Sequence, residues 1–189
     1  MNAGPRRPCP IIEHIVLDGG STDDSLKILK KYESKYNLIW TSKPDNGQSY
    51  AINNGFQQAH GEIVYWMNSD DALVSNRALE DVVDIFSNNS DIDILYANRI
   101  VIDQNNNLHK FQYTNSFNAN RIRSGIYPIF QENVFFKKNV VKTERLDENL
   151  QVVMDTDYWI RLSNKYNFLY VNKIFSAFRI HTSNKTVSE

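Results

Sequence analysis

Apolar residues recur along the chain with two periods, and stretches of the two alternate. Residues 11–17 are β-branched and apolar, which predicts a buried strand ending in the turn Asp18-Gly19-Gly20. A helical period follows. Leu26, Leu29, Tyr32 and Tyr36 mark one buried face, with Ser21 or Thr22 as cap and Asp23 and Asp24 in the electropositive first turn. The pattern continues with a short strand at 38–41, a loop at 43–47 on turn chemistry, and a helix over 48–60. That helix is expected to bury Ala51, Ile52, Phe56 and Ala59 and to stop at Gly61. Residues 63–67 are apolar throughout, as in a strand covered on both faces, and run into Asn68-Ser69-Asp70-Asp71. A helix carrying Leu79, Val82, Val83 and Phe86, capped by Ser75 or Asn76, and a strand at 93–97 complete the alternation.

Strands alternating with helices of this length predict βαβ units: an α/β chain built on a mostly parallel, right-handed central sheet. Ligands of such sheets bind beyond the carboxyl ends of the strands, where the two Asp-rich turns fall. The second half changes character. Segments 99–101 and 110–113 flank an Asn-rich tip and predict a hairpin. Then come a strand at 133–136, a helix over 154–166 with Trp159, Leu162 and Tyr166 on one face, and strands at 168–171 and 174–180. An irregular, Pro-rich arm (1–10) precedes all of this, and a polar tail runs from Thr182. The 189 residues read as one domain with halves at 11–98 and 99–189.

Composition narrows the classes. A chain with 41% hydrophobic and 23% charged residues is expected to be soluble and globular, and no apolar run reaches the ~18 residues that span a bilayer. The single cysteine excludes a disulfide framework and any multi-cysteine metal site. Twenty-one basic against 22 acidic residues leave a formal charge of −1, without the electrostatic footprint of a nucleic-acid binder. The start lacks the charged-then-apolar layout of a signal peptide, so the expected location is cytoplasmic.

Four places carry candidate chemistry. Asp18 is either part of a strand-to-helix turn or a hydrogen-bond acceptor for a base or ribose at a strand's carboxyl end. Asp70 and Asp71 stand at the end of the most apolar strand. Adjacent carboxylates there are costly to desolvate unless a divalent cation joins them, and Mg²⁺ or Mn²⁺ suit hard oxygen ligands; the other reading is a solvated turn. Asp155 and Asp157 open the late helix two residues apart and do not share a face. Asp157 and Arg161 are spaced to pair, which leaves Asp155 the freer. His181 follows the last strand. His14, His60 and His109 have no metal-ligand spacing and read as structural, and Trp66, Met67 and Trp159 read as core. No G-x-G-x-x-G follows a strand, which disfavours a dinucleotide-binding domain.

Taken in order, Asp18-Gly-Gly-Ser-Thr-Asp23, Lys43-Pro-Asp-Asn-Gly47, Ala51-Ile-Asn-Asn-Gly55 and Gly61-Glu-Ile to Asp71 closely resemble glycosyltransferase family 2. The later Gln131-Glu132-Asn-Val-Phe-Phe136, Asp155-Thr-Asp-Tyr-Trp-Ile-Arg161 and Phe178-Arg-Ile-His181 continue the match, over about residues 11–185. The resemblance implies a GT-A fold: three αβα layers, a nucleotide-sugar-binding half and a smaller mixed acceptor-binding half. It implies donor contacts from Asp18, Asp45, Gly47, Asn53, Asn68 and Asp70, with Asn68-Ser69-Asp70 in place of the family's Asp-x-Asp. Asp70, Asp71 and His181 would hold Mn²⁺ or Mg²⁺, and Asp155 would be the catalytic base, with Met154 where the family carries a Glu. The implied reaction is metal-dependent inverting transfer from a nucleotide sugar, most simply a UDP-sugar, to a glycan or lipid-linked acceptor in cell-surface polysaccharide synthesis. Peripheral association with the inner face of the membrane and a homo-oligomer are compatible with that role. Two departures are visible. The family's opening strand should precede residue 11, where only the arm stands, and Tyr50 occupies a position at which relatives carry Asp or Arg. They motivate the alternative of a truncated or degenerate GT-A domain that binds, or serves a partner, without turnover.

Overall fold

The computed structural model describes residues 12–116, 118–124, 129–150, 152–182 and 184. The Pro-rich arm and the end of the polar tail lie outside these. Strands are β1 (His14–Asp18), β2 (Leu38–Ser42), β3 (Ile63–Tyr65), β4 (Ala72–Leu73), β5 (Ile94–Ile102), β6 (Leu108–Gln112), β7 (Val134–Lys137) and β8 (Phe168–Arg179). Helices are α1 (Ser25–Tyr32), α2 (Gln48–Gln58), α3 (Ala78–Asn88), α4 (Ala119–Arg123), α5 (Lys138–Thr143) and α6 (Met154–Leu162), with one 3₁₀ turn at Gln131–Asn133.

β5 is the centre of the molecule because its side chains are apolar on both faces. Ile94 and Tyr96 point into a core shared with Phe56 of α2, Val140 and Val141 of α5, and Tyr158, Trp159 and Leu162 of α6. Leu95 and Ala97 point the other way, onto Ala78, Val82 and Phe86 of α3. Helices therefore cover both faces of the sheet, giving the three αβα layers. Phe135 and Phe136 of β7 divide between the same two cores, as neighbours in a pleated strand must.

The sheet order is β3-β7-β5-β8-β4, with β6 as hairpin partner of β5. Parallel pairing joins β5 to β8 and β1 to β2, and the other pairings are antiparallel, so the sheet is mixed. β1 and β2 form a two-stranded sheet of their own. Among the described residues, β1 and β3 each have a strand neighbour on one side only. α2 bridges the two sheets: it packs on β1, while its Phe56 enters the larger core. Glu13 adds a second tie, accepting from the His60 backbone at 2.8 Å and meeting the His60 ring at 3.0 Å.

Five expectations are corrected. The central sheet is not mostly parallel, since β3–β7, β4–β8, β5–β6 and β5–β7 all pair antiparallel. α1 buries nothing fully: Leu26 and Leu29 are half-buried and Tyr32 and Tyr36 exposed, because a two-stranded sheet covers only one side of the helix. In α2 the buried residues are Ser49, Asn53 and Phe56 rather than the alanines, since the loop before α6, not a second sheet layer, packs there. The two late strands are one, β8, whose register against β5 shifts around Asn98. Met67 is exposed, since the chain leaves the sheet after Tyr65.

Candidate active site

β1 ends on Asp18, and its carboxylate is saturated by its own turn. One oxygen accepts from Gly20 N (3.0 Å), Ser21 N (2.9 Å) and Ser42 Oγ (2.6 Å), and the other from the Ser21 hydroxyl. The Ser21 and Ser42 hydroxyls are the main reason its pKa is pulled down to about 2. Gly20 sits at φ +93°, and a Cβ there would approach the Pro44 nitrogen to 3.3 Å, so only glycine lets the loop at 43–47 close over the turn. In that loop Asp45 accepts from Gly47 N at 2.8 Å. Between the loop and α2 lies a cavity of about 150 Å³ lined by Asp18, Thr41, Lys43, Asp45, Tyr50 and Asn54, among others. This is below the ~300 Å³ at which whole-ligand pockets begin, so it accommodates a ring rather than a complete nucleotide sugar.

The resemblance names Asn53 as a donor contact, and the structure places it elsewhere. Asn53 is 2% exposed. Its amide group donates to Leu146 O and Glu148 Oε1 and accepts from Leu146 N, which spends every strong bond it has on the loop before α6. Asn54, one residue on, lines the cavity in its place. It lies one helical turn from both Tyr50 and Gln58 in the i, i+4 row that faces β1, a periodicity that could have selected it.

β3 delivers the second turn. Asn68 Oδ1 accepts from Gln48 Nε2 (2.9 Å) and Trp66 Nε1 (3.4 Å), while Nδ2 donates to Gln131 Oε1 (2.9 Å) and Asp71 Oδ2 (3.4 Å). An aspartate at 68 would lose both donor bonds and set a carboxylate against Asp71, which accounts physically for asparagine there. Asp70 and Asp71 then point apart. Asp70 Oδ2 lies 3.0 Å from His181 Nε2 and 3.1 Å from Asn184 Nδ2, so the expected Asp70–His181 convergence is present. Asp71 turns inward, 6% exposed, and accepts from Arg179 N at 3.1 Å. Burial, then the nearby Glu132 and Asp70, push its pKa up to about 7. Asp71 thus does not stand with Asp70 and His181 as an expected third ligand, and no group of three or more His, Cys, Asp or Glu side chains among the described residues could hold a metal. Asp70 and His181 alone still suit a divalent cation whose remaining ligands are substrate phosphates and water, the usual arrangement for Mg²⁺.

Arg179, which composition and spacing did not single out, braces this turn. Its Nε donates to Asp70 O (2.7 Å) and its Nη1 to Asp103 O (2.9 Å). Gln131 braces the other end, donating to Trp66 O at 2.7 Å. Asp155 opens α6 half-buried; Oδ1 accepts from Thr156 N (2.7 Å) and Thr156 Oγ1 (3.4 Å). Burial raises its pKa against those bonds and the Arg99 charge, which makes it a stronger proton acceptor than a solvated carboxylate. The Asp157–Arg161 pair forms as spaced, at 2.8 Å. Met154, where the family has Glu, is buried and accepts from Ser49 Oγ at 2.8 Å.

A layered αβα sheet with acidic turns at its strand ends is the architecture of a GT-A glycosyltransferase fold. The chain matches *Staphylococcus aureus* TarS residues 1–349 in complex with UDP, with a TM-score of 0.71 at 20% identity, over 89% of this chain and 51% of that one. The same enzyme in complex with UDP-GlcNAc gives 0.69, over 94% and 52%. The Glycosyl transferase family 2 profile matches residues 5–144, and the chain belongs to that family. An uncharacterized glycosyltransferase of *Methanocaldococcus jannaschii* is 27% identical over 172 residues, 88% of this chain and 59% of the relative. The minor teichoic acid biosynthesis protein GgaB of *Bacillus subtilis* is 30% identical over 152 residues, 76% of this chain and 17% of the relative. The chain thus spans little more than half of the first relative and a small part of the second.

Proposed function

We propose that the protein transfers a sugar from a nucleotide donor, a UDP-sugar, to a hydroxyl of a glycan or lipid-linked acceptor in cell-surface polysaccharide synthesis. The observation that carries this reading is the meeting of Asp70 with His181, 111 residues later in the chain, at the strand ends of a GT-A fold. UDP and UDP-GlcNAc bound to TarS, and the teichoic acid role in GgaB's name, support the donor and pathway classes.

In this reading the cavity beside Asp18, Asp45 and Asn54 receives the base. Asp18 acts by shaping the turn, since its oxygens are engaged, and Lys43 and Tyr50 offer polar atoms to the nucleoside. Gly47, at φ +104°, begins α2 and lets the loop approach a ligand closely. Asp70 and His181 would hold Mn²⁺ or Mg²⁺ beside the diphosphate. The cation, when bound, neutralises charge on the departing nucleoside diphosphate. Asp155 takes the proton of the acceptor hydroxyl as that oxygen attacks the anomeric carbon from the far side, inverting it. Asn68 and Arg179 keep the Asp70 turn in place. The fitting location is the cytoplasm, with peripheral contact at the inner membrane face for a lipid-linked acceptor. Among the described residues no helix is long and apolar enough to cross a membrane.

UDP release from UDP-sugars in the presence of Mn²⁺ tests the assignment of roles. Asp155→Asn is expected to lower turnover by at least ~100-fold, the range of a positioned general base, with UDP affinity retained. Turnover equal to that of the unaltered chain contradicts the role.

A further inference from the structure

β5 carries one basic side chain that the reaction above does not use. The Arg99 guanidinium lies over the rings of Phe130 and Phe178, 4.4 Å and 4.8 Å from the two centroids. Nε donates to Gln112 Oε1 at 2.8 Å, and Nη1 lies 3.5 Å from Glu132 Oε1. A guanidinium has five N–H donors. Gln112 takes one and Glu132 one at long range, which leaves three without a partner among the described residues.

Glu132 does not exhaust this cation. Its carboxylate, 3% exposed, meets the guanidinium through a single long contact and not through the two parallel bonds of a bidentate pair. Both rings lie against the guanidinium, at 4.4 Å and 4.8 Å, so its free N–H groups are the polar part left for a ligand. An in-plane fork with free N–H groups matches the oxygens of a phosphate or carboxylate. The side chain keeps 21% exposure, so this edge is reachable. Gln131, the neighbour of Glu132 in the chain, accepts from Asn68 Nδ2 at 2.9 Å, which sets the Arg99–Glu132 pair beside the turn that carries Asp70.

We propose that Arg99 is an anion subsite for the acceptor: its free Nη edge binds a phosphate or carboxylate oxygen borne by the acceptor, while the attacking hydroxyl faces Asp155. The inference rests on the reading of Asp155 as base and adds the acceptor's class, an anionic glycan or polyol phosphate.

The test is a set of titrations of the full chain, saturated with UDP, using three oligomers: a polyol phosphate, a hexuronate and a neutral N-acetylhexosamine. One anionic oligomer is expected to bind at least ~10-fold more tightly than the neutral one, and which of the two does so identifies the anion. Arg99→Gln is expected to abolish that preference. Arg99→Lys, which keeps the charge without the fork, should weaken the anion by roughly threefold or more. UDP affinity reports that the donor side is folded in each variant; if the Gln variant does not fold, the Lys variant decides. Equal affinity for the neutral oligomer, an anion preference that survives loss of the arginine, or anion binding only without UDP overturns the proposal. Asp155→Asn separates the two readings. It should keep anion binding while losing turnover, so undiminished turnover there overturns the base and leaves the Arg99 result to stand alone.

Discussion

Single residues in this site are set by who their neighbours are, and two carboxylates show opposite outcomes. Asp18, wrapped in donors, has its pKa held near 2 in the folded chain against ~3.9 unfolded, so it favours folding above pH ~4 and that contribution is lost as pH falls toward 2. Buried Asp71 is the reverse. With a folded pKa of about 7, it favours folding most below pH ~4, and its contribution drains away as pH rises through 7. In metal-free protein, Asp71→Asn should therefore flatten the decline of denaturation midpoint between pH ~4 and 7, whereas Asp18→Asn should lower stability at pH 7 and weaken the acid-side loss. Denaturant melts across pH check both; parallel curves for Asp71→Asn and the unaltered chain would contradict the inward placement of Asp71. Asp70, His181 and Asp155 are singled out by the order of motifs that resembles family 2, since an acidic or imidazole group at a strand or helix end is by itself more often a cap, a dipole partner or a surface group. That order does not separate Asn53 from Asn54, nor Asp71 from Asp70. Adjacent residues of like type differ by the direction each takes from the backbone; the i, i+4 row of Tyr50, Asn54 and Gln58 records it for the asparagines, and no spacing records it for Asp70 and Asp71.

At the scale of elements, α2 works in two directions. One face, with Tyr50 and Asn54, lines the cavity, and the other, with Ser49 and Asn53, fastens the loop leading to α6. Asn53→Ala should thus cost about 1–3 kcal/mol, the penalty for buried backbone groups left unpaired at Leu146, and should raise the KM for acceptor more than that for UDP. A thermal melt and the two KM values check it. β8 was expected as two strands because Asn172 and Lys173 interrupt its apolar run. Asn98 meets the interruption, donating to Asn172 Oδ1 at 2.9 Å, and Asn133 secures the strand beyond it, accepting from Phe175 N and Ser176 N at 2.9 Å each and donating to Ser176 O at 3.1 Å. A buried asparagine that completes another strand's ladder has no periodic signature, so the continuity of β8 could not be read from spacing. The order and type of the elements before position 98 could, apart from the two-residue β4, since the two hydrophobic periods alternate cleanly there.

The whole molecule is two sheets held together through α2 and the Glu13–His60 contact. The β5–β8 sheet is sealed by helices on both faces, while α1 leaves Ile28, Tyr32 and Ile39 exposed. Amides of β1 and β2 are therefore expected to exchange with solvent through smaller openings than those of β5 and β8, and UDP should slow them selectively if the base lies against β1. Uniform protection across both sheets would contradict this division. The division itself was only partly legible: the alternation of strands and helices predicts neighbours but does not say which edges meet. The most direct test of the account is calorimetric titration of the chain with UDP, with and without Mn²⁺, alongside Asp70→Ala and His181→Ala. The account predicts Mn²⁺-dependent binding that both substitutions weaken by at least ~10-fold, as loss of a ligand does. Binding that ignores Mn²⁺, or survives both substitutions, would contradict the meeting of Asp70 and His181 as the donor's anchor.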